Sequence, residues 1–404
     1  MLPNPPRKNY LQREKSSMKK IIYFYLLRLN YLVLFFLSCF SSTSFAGSAC
    51  ENMQDGEVMR LDSKGEILEH VLNPKQGTSN FCWAAASTQL YDAYRLKKSS
   101  VHTPVLVSSP FATTIMVLEN EYKQNNNFQR SISTEYSLRK SFFYLMEEGS
   151  CSLDRFFDVQ VTDGQTKLAN FSNIYKELES IYFLDLNYAF RYKRFKDFVK
   201  KNYRSNIYHL LFVEEENRNQ IKSAFYSRKD FNHFLNRLTS ILCPLGQRLK
   251  ANTRTPSLVN LSFYDVATKS YNPGENIDQK YKNLLRKRVK QDFFILKNFR
   301  PLPKVVGMCG NALTNANLPP LQLRDGSTAY DVESDTCSNH YLVVMGLRKS
   351  GQSCEWLVRN SAGQSCSSYV PGKIKCDEVH SPNLIWMEEG YLTSYVSEMF
   401  TIEE

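Results

Sequence analysis

The chain has little glycine (16) and little proline (15) for its 404 residues, no C-x-x-C pair, and no apolar run of membrane-spanning length after position 40. The first shortage excludes collagen-like and Pro/Gly-rich disordered chains. The second absence removes thioredoxin-like redox chemistry and most zinc ribbons. The third leaves no candidate membrane span downstream of the first 46 residues. Also missing are the G-x-x-x-x-G-K-[ST] phosphate loop, G-x-G-x-x-G, H-E-x-x-H, the EF-hand loop and G-x-S-x-G. Nucleotide-binding, zincin, calcium-sensor and serine-hydrolase readings therefore have no support. No metal or organic cofactor is implied.

What is present suits a globular protein of two or three domains: 42% hydrophobic residues, 13% aromatic and 23% charged. The net charge of +11 is concentrated at the front. Residues 1–46 carry Arg7, Lys8, Arg13, Lys15, Lys19, Lys20 and Arg28 against Glu14 alone, which leaves +5 for everything after. That excess is too mild to name a nucleic-acid partner.

Residues 1–46 read as a signal peptide region. Met18-Lys19-Lys20 supplies a basic start, Ile21 to Phe40 is mostly apolar, and Ser44-Phe45-Ala46 is a small-residue exit of the A-x-A type. Arg28 and Asn30 interrupt the apolar run, which favours cleavage over retention as an anchor. The expectation is an exported protein, secreted or periplasmic, with no stable membrane span once the signal is removed.

Nine cysteines follow that site: Cys50, Cys82, Cys151, Cys243, Cys309, Cys337, Cys354, Cys366 and Cys376. An odd number in an oxidising compartment predicts disulfide bonds with one thiol left over. Eight of them lie among polar, turn-forming residues; Cys82 does not. It follows the Gly/Ser/Thr/Asn-rich stretch Gln76 to Phe81 and leads into Trp83-Ala84-Ala85-Ala86, a strong helix former. A thiol at a helix start meets the positive end of the macrodipole, which predicts a lowered pKa, and free N–H groups there can hold an oxyanion. Taken alone, such a Cys is more often buried or bridged.

Two later segments bear on that choice. Asn339-His340-Tyr341-Leu342-Val343-Val344-Met345 opens a β-branched run with a histidine, and Trp356-Leu357-Val358-Arg359-Asn360 closes another with an asparagine. No other histidine of the six opens such a run. A Cys, a His and an Asn in these settings suggest nucleophile, base and orienter.

Gln76, Cys82-Trp83-Ala84, Asn339-His340 and Asn360-Ser361, in that order, resemble the papain-like cysteine peptidases. The lead-in Val71 to Gly77 and the late Gly390-Tyr391-Leu392 resemble that family too, so the likeness spans residues 70–160 and 300–404. It implies an α+β, papain-like two-part fold, with a helical half carrying the Cys and a β half carrying His and Asn. It implies a thiol endopeptidase acting on a polypeptide substrate. Cys82 would be the nucleophile, His340 the base and later acid, Asn360 the orienter of the imidazole through its side-chain oxygen, and Gln76 an oxyanion donor. The family's Trp after Asn-Ser is replaced by Ala362, with Trp386 a candidate cover for that region.

The chain then divides into 47–162, an N-terminal segment and helical half with the nucleophile; 163–298, a helical insertion; and 299–404, the β-rich half. In the insertion, Phe231, Phe234, Leu235, Leu238, Ile241 and Leu242 share one helix face, as do Ile277, Tyr281, Leu284, Leu285 and Val289. A Cys151–Cys243 bridge is one of several pairings able to anchor it. Arg191-Tyr192-Lys193-Arg194-Phe195-Lys196 forms a basic, aromatic-laced helix. Its plain reading is a solvated face over a local core. Its sharper reading is a contact with an anionic surface or single-stranded nucleic acid through Arg191, Lys193, Arg194 and Lys196. Two functions compete with the peptidase: a transglutaminase-like acyl transferase, against which Asn360 counts because that group carries an acidic third member, and a catalytically silent papain-like binding protein.

Overall fold

The computed structural model describes residues 48–403 apart from 65, 70, 72–80, 99–106, 125–137, 163–164, 169, 185–186, 227–230, 252–254, 264, 267–276, 291–301, 319–338 and 378–380. The alanine-rich stretch folds as helix α1 (Cys82–Lys98), which starts at Cys82 as its sequence predicts; Phe81 C=O accepts from Ala85 N–H in the first turn. Helices α2 (Pro110–Gln124) and α3 (Leu138–Glu148) pack beside it. Gly149 ends α3 with φ +80° and donates to Leu145 C=O at 2.9 Å. A side chain there is doubly costly, because a Cβ would also lie 2.8 Å from Leu249 O.

Five further helices, α4 (Phe171–Phe183), α5 (Tyr188–Asn202), α6 (Ser205–Phe212), α7 (Glu215–Tyr226) and α8 (Phe231–Leu242), build a block around a phenylalanine-rich core to which Phe81 and residues Phe111, Ala112, Ile115 and Met116 of α2 also contribute. The chain enters and leaves this block at one place. There Cys151 and Cys243 are bridged, and Ser150 and Leu249 exchange backbone hydrogen bonds of 3.0 and 2.7 Å. Closing a loop of this length by a disulfide is worth about 4.6 kcal/mol in the chain-entropy model. Helix α9 (Ile277–Lys290) instead buries Ile277, Tyr281, Leu285 and Val289 in the core shared with the sheet.

That sheet is antiparallel, with eight strands. Its order is β4 (Ser257–Ser262), β10 (Val396–Glu403), β5 (Lys304–Cys309), β6 (Asn339–Ser350), β7 (Ser353–Arg359), β9 (Ser381–Glu388) and β8 (Ile374–Asp377). The short strand β1 (Val58–Arg60) joins β6 beyond the residues that β5 pairs. The mixed helices and antiparallel sheet make the fold α+β. Two features extend the sheet past the β-rich segment of the sequence. β1 comes from before Cys82, and β4 comes from within 163–298. A small hairpin, β2 (Val159–Thr162) with β3 (Gln165–Leu168), stands apart from the main sheet. The short helix α10 (Glu389–Thr393) carries Gly390 and Tyr391 between β9 and β10.

Three bridges are described: Cys50–Cys354, Cys151–Cys243 and Cys366–Cys376. Cys309 is also disulfide-bonded. These fit an oxidising setting. Among the described residues no helix is long and apolar enough to cross a membrane.

The basic helix needs a correction. Arg191 is buried and donates to Tyr182 C=O at 2.7 Å and Phe225 C=O at 2.9 Å, so it cannot meet an anionic surface. It sits on the same side of α5 as Phe195 and Val199, the stripe that faces the block's core, and the two carbonyls take the place of water. Lys193 and Arg194 are exposed, while the Lys196 ammonium lies over the Tyr208 ring at 5.8 Å.

Candidate active site

Cys82 is the one free cysteine among the described residues. The backbone N–H groups of Cys82, Trp83 and Tyr341 point at its sulfur. Two of these belong to the first turn of α1; the third belongs to the residue after His340. The helix and the strand therefore meet at the sulfur.

Burial outweighs those donors. Cys82 is 6% exposed, and removal from water pushes its thiol up to about 11 against the lowering effect of the three N–H groups. The lowered pKa expected from the helix dipole is thus overturned: a low-dielectric surround penalises the thiolate more than a helix end stabilises it. Burial acts on His340 in the opposite direction, holding it below its ordinary 6.5, with the Asn360 hydrogen bond opposing. Burial thus favours the uncharged form of each group.

His340 Nε2 lies 2.8 Å from Asn360 Oδ1. The amide orientation is fixed by its other contacts. Asn360 Nδ2 donates to Tyr369 Oη at 2.9 Å and to Gln364 Oε1 at 3.2 Å, while Oδ1 also accepts from Ala362 N–H at 3.0 Å. An oxygen that faces the ring accepts from it, so Nε2 carries the proton and Nδ1 keeps the lone pair. Nδ1 is then the nitrogen able to take a proton.

The pairing of His340 with Asn360 depends on a bulge. Near the hairpin tip β7 pairs with β6 as Trp356 with Leu347 and Leu357 with Gly346, but beyond Met345 the register shifts by one, to Val358 with Val344 and Arg359 with Val343. One further step sets Asn360 opposite Leu342, on the face shared with His340 two residues away. Without the extra residue Asn360 would fall opposite Val343, on the other face. The displaced Met345 C=O accepts from Leu61 N–H at 2.9 Å, just past the end of β1. Gly346 is required there because a Cβ would lie 2.5 Å from Met59 O.

Trp386 does not cover this contact: its ring lies under the guanidinium of Arg348, 4.3 Å from the centroid, with Arg60 at 5.9 Å. The ring that meets Asn360 is Tyr369, which no sequence pattern marked. Gln76 lies outside the described residues. Among the described residues no three His, Cys, Asp or Glu side chains cluster as a metal site requires. A cavity of about 430 Å³, lined by Glu216, Gln220, His233 and Arg237 among others, lies in the helical block away from Cys82.

No protein-family model matches the chain, and no curated protein matches it.

Proposed function

We propose that this chain is an exported papain-like cysteine endopeptidase with a helical insertion, hydrolysing polypeptides through a thioacyl intermediate on Cys82. The observation that carries this reading is a free thiol at a helix start, in contact with the strand whose histidine is oriented by an asparagine carboxamide. Substrate binding places a carbonyl carbon at the sulfur. The Cys82 proton passes to Nδ1 of His340 as sulfur attacks, and the imidazolium returns it to the leaving amine. Asn360 holds the ring in the tautomer that can do both. The developing oxyanion faces N–H groups of the helix start, with Gln76 as the side-chain donor; one such donor is worth about 2.7–4 kcal/mol in the transition state. The disulfides accord with export, which the basic and apolar leader supports from the sequence.

The test is cleavage of casein or a mixed peptide library by the wild-type protein and by Cys82→Ala. Loss of cleavage in the variant supports the reading, and equal cleavage by both overturns it. One observation favours a second reading: the thiol is buried and protonated at rest. A non-catalytic papain-like binding protein would carry this same geometry and would not react with an epoxide-type thiol inhibitor at neutral pH.

A further inference from the structure

We infer that Arg359 is a positioning residue that ties the nucleophile helix, the backbone at Leu68 and Val71 and the Asn360 strand end into one unit; this rests on the peptidase reading. Arg359 is the last residue of β7, immediately before Asn360, and strand alternation points the two side chains to opposite faces. Asn360 turns to His340. Arg359 is 6% exposed and turns toward α1.

Its guanidinium makes three contacts in two directions. Nη1 donates to Val71 C=O and to Gln89 Oε1 at 3.3 Å, and Nη2 donates to Leu68 C=O at 3.2 Å. Gln89 is seven residues after Cys82, two helical turns along nearly the same face, and its own amide donates to Ala85 C=O at 3.1 Å. Leu68 and Val71 are the described residues at the near end of the segment that runs through Gln76 to Cys82. A planar fork of five donors suits this task, and a single ammonium cannot reach all three acceptors. No carboxylate lies within ion-pair distance of Arg359 among the described residues; burial holds its pKa down, to about 10, while Asp62 favours its charge from farther away and Arg60 opposes it. A buried cation bound by neutral oxygens adds little as an ion pair. It does fix relative positions, because moving any of the three pieces leaves charge and carbonyls unpaired.

The experiment compares Arg359→Lys, Arg359→Met and Arg191→Met with wild type. Arg191 is a control for structural loss: it is equally buried and bound by two backbone carbonyls, but in the helical block. Measured are kcat and KM for peptide cleavage, the pH profile of Cys82 alkylation by iodoacetamide, and Tm. The expected result is a fall in kcat on the order of 10–100-fold for both Arg359 variants, with KM little changed and the alkylation profile displaced. Arg191→Met should lower Tm and leave kcat and the profile as in wild type. Wild-type kcat and alkylation in folded Arg359→Lys, or an equal kcat loss in Arg191→Met, overturns the inference. If neither Arg359 variant folds, Gln89→Leu removes one acceptor and must lower kcat without raising KM; wild-type kcat in that variant also overturns it. Failure of wild type itself to cleave peptides sinks the peptidase reading instead, so the two failures are distinguishable.

Discussion

The imidazole of His340 and the carboxamide of Asn360 meet at 2.8 Å although twenty residues separate them in the chain. They meet because β6 and β7 form one hairpin whose open end holds both residues. The bulge at Met345 then puts their side chains on one face. Asn360→Ala should lower kcat/KM by roughly 10–100-fold, since the ring loses its fixed tautomer and orientation. Tyr369→Phe removes only a support of the amide and should cost about 0.5–1.5 kcal/mol. Steady-state kinetics of the two variants check the order; a larger loss in Tyr369→Phe would contradict it.

The bulge itself can be tested at Gly346. Gly346→Ala brings a methyl group 2.5 Å from Met59 O, at the place where β1 meets β6. Either β1 detaches or the register slips, and a destabilisation of about 1–3 kcal/mol is expected from overpacking alone. Urea denaturation gives the stability change. Unchanged stability would show that β1 does not hold the bulge.

The reactivity of Cys82 should have an unusual pH dependence. With the thiol pushed up to about 11 and His340 held below 6.5, alkylation of the free protein should be slow at pH 6 and climb steadily through pH 9. A rate already at its plateau at pH 6 would indicate a preformed thiolate–imidazolium pair. Peptide hydrolysis, by contrast, needs only neutral imidazole, so its acid limb should fall as pH drops through the lowered His340 pKa.

Asp158 should give the fold itself a pH dependence. Its buried carboxyl accepts from Ser109 Oγ and, at 3.4 Å, from Phe111 N–H at the start of α2, and burial pushes its pKa from 3.8 up to about 7. The folded form therefore binds a proton more tightly than the unfolded chain, and stability from this group is lost as pH rises from about 4 through 7. Asp158→Asn should flatten Tm against pH across that window. An unchanged slope would assign the dependence to other groups.

Much of the architecture was legible from residue order. The start of α1 at Cys82 followed from the alanine run after a polar stretch. Strands β6 and β7 followed from the β-branched runs that His340 opens and Asn360 closes, and the singular context of Cys82 foretold the free thiol. Less legible were β1 and β4, which are short and lie far in sequence from the strands they pair with. Arg191 was misjudged for a related reason. A basic helix looks solvated by composition, and only its position on the helix circumference shows that one arginine faces the core. Arg359 had one available signal, a charge at the end of an apolar strand, but nothing nearby in sequence named its acceptors.

The order of residues thus determined which groups carry chemistry and what local structure surrounds each of them, because helix propensity, strand propensity and turn formation depend on near neighbours. Only the tertiary structure decided which side of a strand Asn360 faces, that Tyr369 rather than Trp386 meets it, and that Cys82 rests as a thiol. Those outcomes depend on a one-residue register shift and on exclusion of water, and both arise from packing between segments remote in the chain.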